Sequence, residues 1–405
     1  MNSITKPHKL IVLLASLQAF GPLSIDMYLP GLPLMGEALG ASEPQMQLTI
    51  SAFLIGLFIG MIFYGPLSDK LGRRPLLLFG MSLYVISSLG CALVTDADQL
   101  VLLRLFQALG GGAASVLGRA LVRDLFPIKE AARVLSLMHL MTMIATLIAP
   151  LLGHYLMEAF GWRSLFVSLM IFSGAVLLFY AVKIPETHPK EQRQASLTHA
   201  YRAYGTLLLD PKAMALILCM SLSFSGMFTY ITASPYVYIE YFGLAQAQYA
   251  WLFSLNIASI ILFVLINARA VRTISTHTML MFGAVISCLS ALVIGAFSLS
   301  EAPHLLGIIL GLLGYVGVTG LIGSNCMALL LHAYPNNAGA ASGLAVSVQF
   351  GCGALFSALT SALYSGSPLV MGALMAICGC LVLLCATAYQ WLEKSHKPRK
   401  RSLST

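Results

Sequence analysis

The chain has 405 residues, of which 58% are apolar and 9% charged, with a net charge of +8 and a mean hydropathy of +0.86. These values lie far outside the range of soluble domains, which excludes a soluble enzyme and makes the lipid bilayer the solvent. The positive balance is a topology signal, so no nucleic-acid partner is expected.

Apolar runs of about 20 residues, each long enough to cross a hydrocarbon core of about 30 Å, start near residues 10, 47, 76, 100, 134, 164, 213, 248, 279, 304, 341 and 368. They predict an all-α membrane protein with twelve transmembrane helices. Alternate loops carry the basic residues: Lys70, Arg73 and Arg74; Arg123, Lys129 and Arg133; Lys183, Lys190, Arg193, Arg202 and Lys212; Arg269 and Arg272. The intervening loops hold almost none, Arg163 being the exception. With Lys6 and Lys9 before the first run and Lys394, Lys397, Arg399, Lys400 and Arg401 after the last, the charge bias places both termini in the cytoplasm. The basic tail is expected to lie near anionic headgroups. The first run has no small-residue cleavage site of A-x-A type after it and is expected to remain as a helix.

The first run, Leu10 to Pro30, contains Asp26 in the string Pro-Leu-Ser-Ile-Asp-Met-Tyr-Leu-Pro. Of the fifteen Asp and Glu residues, the other fourteen fall at or between the ends of apolar runs. A carboxyl at that depth is costly and marks a functional site. The loop after the second run reads Gly65-Pro66-Leu67-Ser68-Asp69-Lys70-Leu71-Gly72-Arg73-Arg74-Pro75. Its glycines are expected to let helix ends approach, with Asp69 against a helix N-terminus and Arg73 and Arg74 as counter-charge; a basic turn that only fixes topology is the alternative.

The fourth run opens with Arg104-Leu105-Phe106-Gln107, followed by Gly110-Gly111-Gly112. A spacing of three places Arg104 and Gln107 on one helix face. Arg104 is the one basic residue at a depth comparable to Asp26, and the two are expected to act as a pair; the alternative has Arg104 snorkelling to the interface. The fifth run contains Ala149-Pro150-Leu151-Leu152-Gly153-His154, a bend followed by a close-packing glycine, with His154 near the outer end.

Polar residues dominate from Lys183 to Lys212, which divides the chain into a six-helix half at 1–185, a cytoplasmic linker at 186–212, a second six-helix half at 213–392 and a basic tail at 393–405. In the second half, Phe224, Phe228, Tyr230, Asn256, Asn325 and Gln349, with Tyr28 and Gln107 of the first, are candidate substrate-binding residues. Interfacial belts explain Tyr236 and Tyr238 equally well, and Asn256, Asn325 and Gln349 equally suit hydrogen bonds between helices. All eight cysteines lie in apolar runs without a Cys-x-x-Cys pair; they read as small buried hydrophobes, and no metal or cofactor is expected.

Four of these segments carry a resemblance. Gly65 to Pro75 resembles the loop signature of the major facilitator superfamily, Arg104 to Gly112 its fourth-helix motif, and Ala149 to Gly153 its antiporter motif, with His154 in place of the second glycine. Asp26-Met27-Tyr28-Leu29-Pro30-Gly31-Leu32-Pro33 is similar to the first-helix signature of the Bcr/CflA drug-resistance transporters, nearest the bicyclomycin-resistance branch. Ser223 to Phe228, Pro235 to Glu240 and Ser324 to Ala328 extend the likeness into the second half.

The resemblance implies a major facilitator fold and a proton-driven exporter of small drugs in a bacterial inner membrane, expected to act as a monomer, with Asp26 and Arg104 coupling protons, Pro150 and Gly153 as the antiporter element, and Gly65, Asp69, Gly72, Arg73 and Arg74 as a cytoplasmic gate. A proton-linked transporter of a nutrient or metabolite shares the fold. A membrane enzyme or sensor would need a catalytic constellation or a signalling domain, and the sequence displays neither.

Overall fold

Hydrophobic runs that cannot expose backbone polar groups to lipid must close their hydrogen bonds within the segment, so the spans are helices. The computed structural model describes residues 7–189, 198–300 and 302–395. Lys6, Lys190, Arg193, Lys397, Arg399, Lys400 and Arg401 of the topology argument lie outside them.

The first half comprises α1 (Pro7–Asp26), α2 (Leu32–Leu39), α3 (Glu43–Leu71), α4 (Arg73–Leu93), α5 (Ala97–Leu125), α6 (Ile128–Phe160) and α7 (Arg163–Lys183). A short helix in the linker, α8 (Thr198–Leu208), is followed by α9 (Pro211–Pro235), α10 (Gln246–Ala270), α11 (Thr276–Ser298), α12 (Leu305–Ala333), α13 (Ala338–Ala362) and α14 (Leu369–Ser395). Among the described residues, twelve segments are long and apolar enough to cross a membrane. Their side chains facing away from the bundle are large and apolar, among them Phe79, Ile86, Leu93, Leu178 and Trp391, as a surface solvated by lipid requires.

The first span departs from the expected single helix. It runs from Leu10 to Leu39, but α1 stops at Asp26 and the chain passes through a turn and a 3-10 turn at Leu29–Gly31 before α2. Pro30 has no N–H to give to the carbonyl of Asp26 four residues earlier, and Pro33 has none for Leu29. Asp26 is therefore not near the outer end of a continuous helix. It sits at a break thirteen residues before the end of the span at Leu39.

Within the first half α5 packs on α3 and α4, and α1 on α6; within the second α9 packs on α13 and α14, and α11 on α12 and α14. The halves meet along α3 with α13 and α6 with α10. Three buried clusters follow from this pairing. One draws residues from both halves, including Tyr28, Phe53, Trp162, Tyr230, Tyr249 and Tyr315. The other two are confined to one half each, around Leu14, Leu77 and Leu121 and around Leu216, Ile322 and Leu330. Both lie toward the end of the bundle that carries the basic loops, here called the basic end.

Cross-half hydrogen bonds have the same distribution. Ser51 and Ser357 lie 2.8 Å apart, and the Ser361 hydroxyl donates to the Pro44 carbonyl at 2.5 Å. Ser254 donates to the Leu147 carbonyl at 2.9 Å. Among the described residues no such bond joins the halves at the basic end. The hydrogen bonds that tie the halves together thus lie toward the end opposite the basic loops.

Candidate functional site

The helix break puts Asp26 where the halves touch. Its side chain is buried, at 5% exposure, and among the described residues no hydrogen bond or ion pair to it is formed. Tyr230 on α9 and Tyr249 on α10, both in the other half, lie within electrostatic reach of it. Those two rings belong to an aromatic wall in which Tyr230 stacks on Phe253 with centroids 5.9 Å apart. Asn256 donates to the Tyr230 hydroxyl at 3.1 Å, and Ser234 and Tyr249 share a hydrogen bond of 3.0 Å. Tyr238 is buried against this wall, its ring centroid 6.3 Å from Tyr230 and 5.9 Å from Tyr249, and Tyr236 is buried against Tyr364, so neither stands in an interfacial belt.

The break is held from the side by α6. At Gly153 a Cβ would overlap the carbonyl oxygen of Met27, the first residue past Asp26. The antiporter-like segment therefore touches the interrupted helix at its weakest point, despite His154 in place of a second glycine. His154 itself points elsewhere, with Nε2 3.8 Å from Glu158.

Arg104 is not a partner of Asp26 in this conformation, and it does not snorkel. It is fully buried. Its Nη1 donates to Gln107 Oε1 at 2.7 Å, and Gln107 Nε2 donates to Ser88 at 2.8 Å. The guanidinium carbon lies 4.5 Å from the centre of the Tyr28 ring and 4.3 Å from that of Phe53. Cation–π contact replaces a carboxylate as the compensation for burying this charge. The Tyr28 hydroxyl meets Thr49 on α3, so Tyr28, Thr49, Arg104, Gln107 and Ser88 form one polar network inside the first half. Gln107 is committed to that network rather than to a cavity.

The remaining candidates divide. Phe224 and Phe228 contact each other with centroids 4.7 Å apart, and Phe224 contacts Phe350 at 5.0 Å; Gln349 is half-buried beside Phe350 on α13. Asn325 is set apart. It donates to Asn267 at 2.8 Å, next to the buried cluster of the second half alone, which makes it an interhelical clamp between α10 and α12. Of the cysteines, Cys380 is exposed on the perimeter rather than buried.

At the basic end, α3 gives way to α4 at Gly72, whose φ of 102° and ψ of 158° suit only glycine. Gly65 has no such need, since a Cβ there would meet only Val116 at 3.8 Å. Arg73 is buried and bridges two carboxylates, Asp69 at 2.6 Å and Asp124 on α5 at 3.2 Å. The positive end of α4 is capped by Glu186, which accepts from the backbone N–H of Arg73 at 2.9 Å and of Arg74 at 3.2 Å, and not by Asp69. Arg74 donates to the Ala181 carbonyl at 2.8 Å. Asp124 and Glu186 escaped the sequence reading because they are ordinary loop-end carboxylates until the fold brings them to Arg73.

The family model described as Major Facilitator Superfamily matches residues 14–356 and 216–405. A bicyclomycin resistance protein homologue of Haemophilus influenzae is 32% identical over 398 residues, covering 97% of this chain and 98% of the relative. The multidrug resistance protein MdtL of Shigella flexneri is 31% identical over 294 residues, covering 73% of this chain and 74% of that one. Among solved structures, a bacterial homologue of the human lysosomal transporter Spinster superposes with a TM-score of 0.75 at 13% identity, covering 96% of this chain and 98% of the other; that likeness speaks to the fold.

Proposed function

The chain belongs to the major facilitator superfamily, and on that premise we propose that it is a proton-coupled antiporter exporting small amphiphilic compounds, drugs among them, across a bacterial inner membrane. The observation that carries this reading is Asp26: a carboxyl at a helix break, buried between two halves, faced by tyrosines of the other half and, among the described residues, held by no cation. Such a group can take a proton from one side and give it up to the other as the halves rock. One proton moving through about 100 mV supplies about 2.3 kcal/mol for expelling a dilute solute.

The aromatic wall of Tyr230, Tyr249 and Phe253, with Phe224 and Phe228 toward the basic end, supplies broad apolar contact with few fixed polar demands. One carboxyl in the cavity suits neutral or monocationic substrates. The basic loops orient the molecule with both termini in the cytoplasm; in that orientation the hydrogen bonds that join the halves lie toward the outer side, and the Asp69–Arg73–Asp124 network is a cytoplasmic latch within the first half.

The test is a drug-susceptibility panel in an efflux-deficient host expressing the chain or its Asp26→Asn variant. Resistance to at least one amphiphilic drug, lost in the well-expressed variant, is the expected result. No change in susceptibility to any compound with protein present in the membrane would refute the export reading.

A further inference from the structure

The fourth span carries a second arginine below Arg104. Arg119 lies six residues before the end of α5 at Leu125, about 9 Å along the axis, and is half-buried. An arginine at that depth can snorkel to the nearer interface, but this one runs the other way. Its Nε donates at 3.2 Å to the carbonyl of Ser115, one turn back toward the membrane interior. The same carbonyl accepts from Gln18 Nε2 on α1 at 2.9 Å, so the guanidinium is pinned beside α1.

Neighbours on α5 give the direction of the side chain. A Cβ on Gly65 of α3 would meet Val116, one on Gly118 would meet Leu17 and Gln18 of α1, and one on Gly80 of α4 would meet Ala113. At about 100° per residue, Arg119 falls between the directions of α3 and α1 and away from α4. α3 borders α13 of the other half, and the turn Leu29–Gly31 that follows α1 meets α9 and α10. The gap between α1 and α3 therefore opens toward the other half.

Among the described residues no carboxylate lies within ion-pair distance of Arg119, and its two terminal nitrogens donate to no protein acceptor. Asp124, the nearest acid in the sequence, is held by Arg73. Arg123, one turn further on the same face, has the same sign. Arg104 differs on each count, since it is sealed between rings and bonded to Gln107. A cation inside a span is costly without a partner, and such residues line cavities and substrate paths.

We propose that Arg119, positioned by the Ser115 carbonyl it shares with Gln18, is a carboxylate-binding subsite of the cavity, its free fork donating two parallel N–H···O bonds to the ligand. Gln18 precedes Asp26 by eight residues on α1, so the subsite lies about 12 Å from the buried carboxyl toward the basic end. A compound with a carboxylate at Arg119 and a cationic group near ionised Asp26 is net neutral and meets both charges. The substrate class is thus zwitterionic amphiphiles, an inference that rests on the export reading and narrows it.

The experiment is equilibrium dialysis of the purified full chain in nanodiscs, against empty nanodiscs, with ciprofloxacin, norfloxacin and ofloxacin, each as the zwitterionic acid and as its methyl ester. At least one acid should bind more tightly than its ester. Arg119→Gln should weaken that acid about ten- to a hundredfold and leave the ester unchanged, and Arg119→Lys should retain part of the preference. Arg119→Gln should melt no lower than wild type, because no ion pair is lost. The proposal is overturned if the wild-type chain prefers no acid to its ester, or if the preference survives Arg119→Gln. Equal losses for acid and ester with a lowered melting temperature would also overturn it, by making Arg119 a structural residue. A carboxylate preference that needs Arg119, in a chain that confers no resistance, would sink the export reading and leave the subsite standing. Resistance that needs Asp26, without such a preference, would do the reverse.

Discussion

Gly153 on α6 and Met27 in the interrupted first span are in backbone contact: a methyl group at Gly153 would overlap the Met27 carbonyl oxygen. The carbonyl belongs to the residue after Asp26, so the helix that carries the antiporter-like segment supports the position of the buried carboxyl. Gly153→Ala is expected to cost about 1–3 kcal/mol through overpacking and to impair transport. Gly174→Ala on α7 is the control. A Cβ there meets nothing within 4 Å, so it should be neutral or stabilising by about 0.5–1 kcal/mol. Thermal unfolding in detergent separates the two; equal melting temperatures would remove Gly153 from the support of Asp26.

Arg104 makes its contacts as a planar fork over rings, with one hydrogen bond to Gln107. Lysine has the charge but neither the fork nor the stacking surface. Arg104→Lys should therefore lower thermal stability, leaving Gln107 Oε1 without its donor at a cost of about 1–3 kcal/mol. Because the two residues form one unit, Arg104→Lys and Gln107→Ala should be non-additive. Additive losses in melting would show that Arg104 is held by something other than Gln107.

Much of this molecule was legible in the sequence, and the rest was hidden for identifiable reasons. The spans follow from apolar run length, since lipid leaves the backbone no alternative to helices. The position of Asp26 was legible and its setting was not, although Pro30 and Pro33 carried the signal: two missing N–H groups three residues apart cannot lie in an uninterrupted helix. The i,i+3 relation of Arg104 and Gln107 was local and readable. The rings over Arg104 come from α3 and the first span, and no local pattern announces them. The same holds for Asp124 and Glu186 around Arg73, and for Asn267 opposite Asn325, whose pairing moves Asn325 away from the cavity.

The latch at the basic end predicts a coupled pair of acids. Asp69 and Asp124 both act through Arg73, at 2.6 and 3.2 Å, so removing either leaves the same buried guanidinium half-compensated. Asp69→Asn and Asp124→Asn should each slow transport, and the double variant, which leaves the Arg73 guanidinium with neither carboxylate, should be worse than either single one. Equilibrium drug binding should change much less, because none of the three residues faces the Asp26 site. A large loss of affinity with normal gating would place them in the cavity instead.

Direction of coupling is decided by what happens to the proton when a substrate binds. In an antiporter the compound and the proton exclude each other, so a substrate that prefers the ionised Asp26 must expel the proton with the same coupling free energy by which the proton expels the substrate. Raising pH should therefore tighten binding until Asp26 is fully deprotonated, and adding substrate to purified protein in unbuffered detergent solution should acidify it. In Asp26→Asn both effects should vanish, with the protein still folded, since a neutral amide at that depth is easier to bury than a carboxylate. A symporter binds its proton and its substrate together and would make the solution alkaline. A pH-sensitive dye reads the sign directly, and alkalinisation would overturn the antiport reading while leaving the fold and the buried carboxyl where they are.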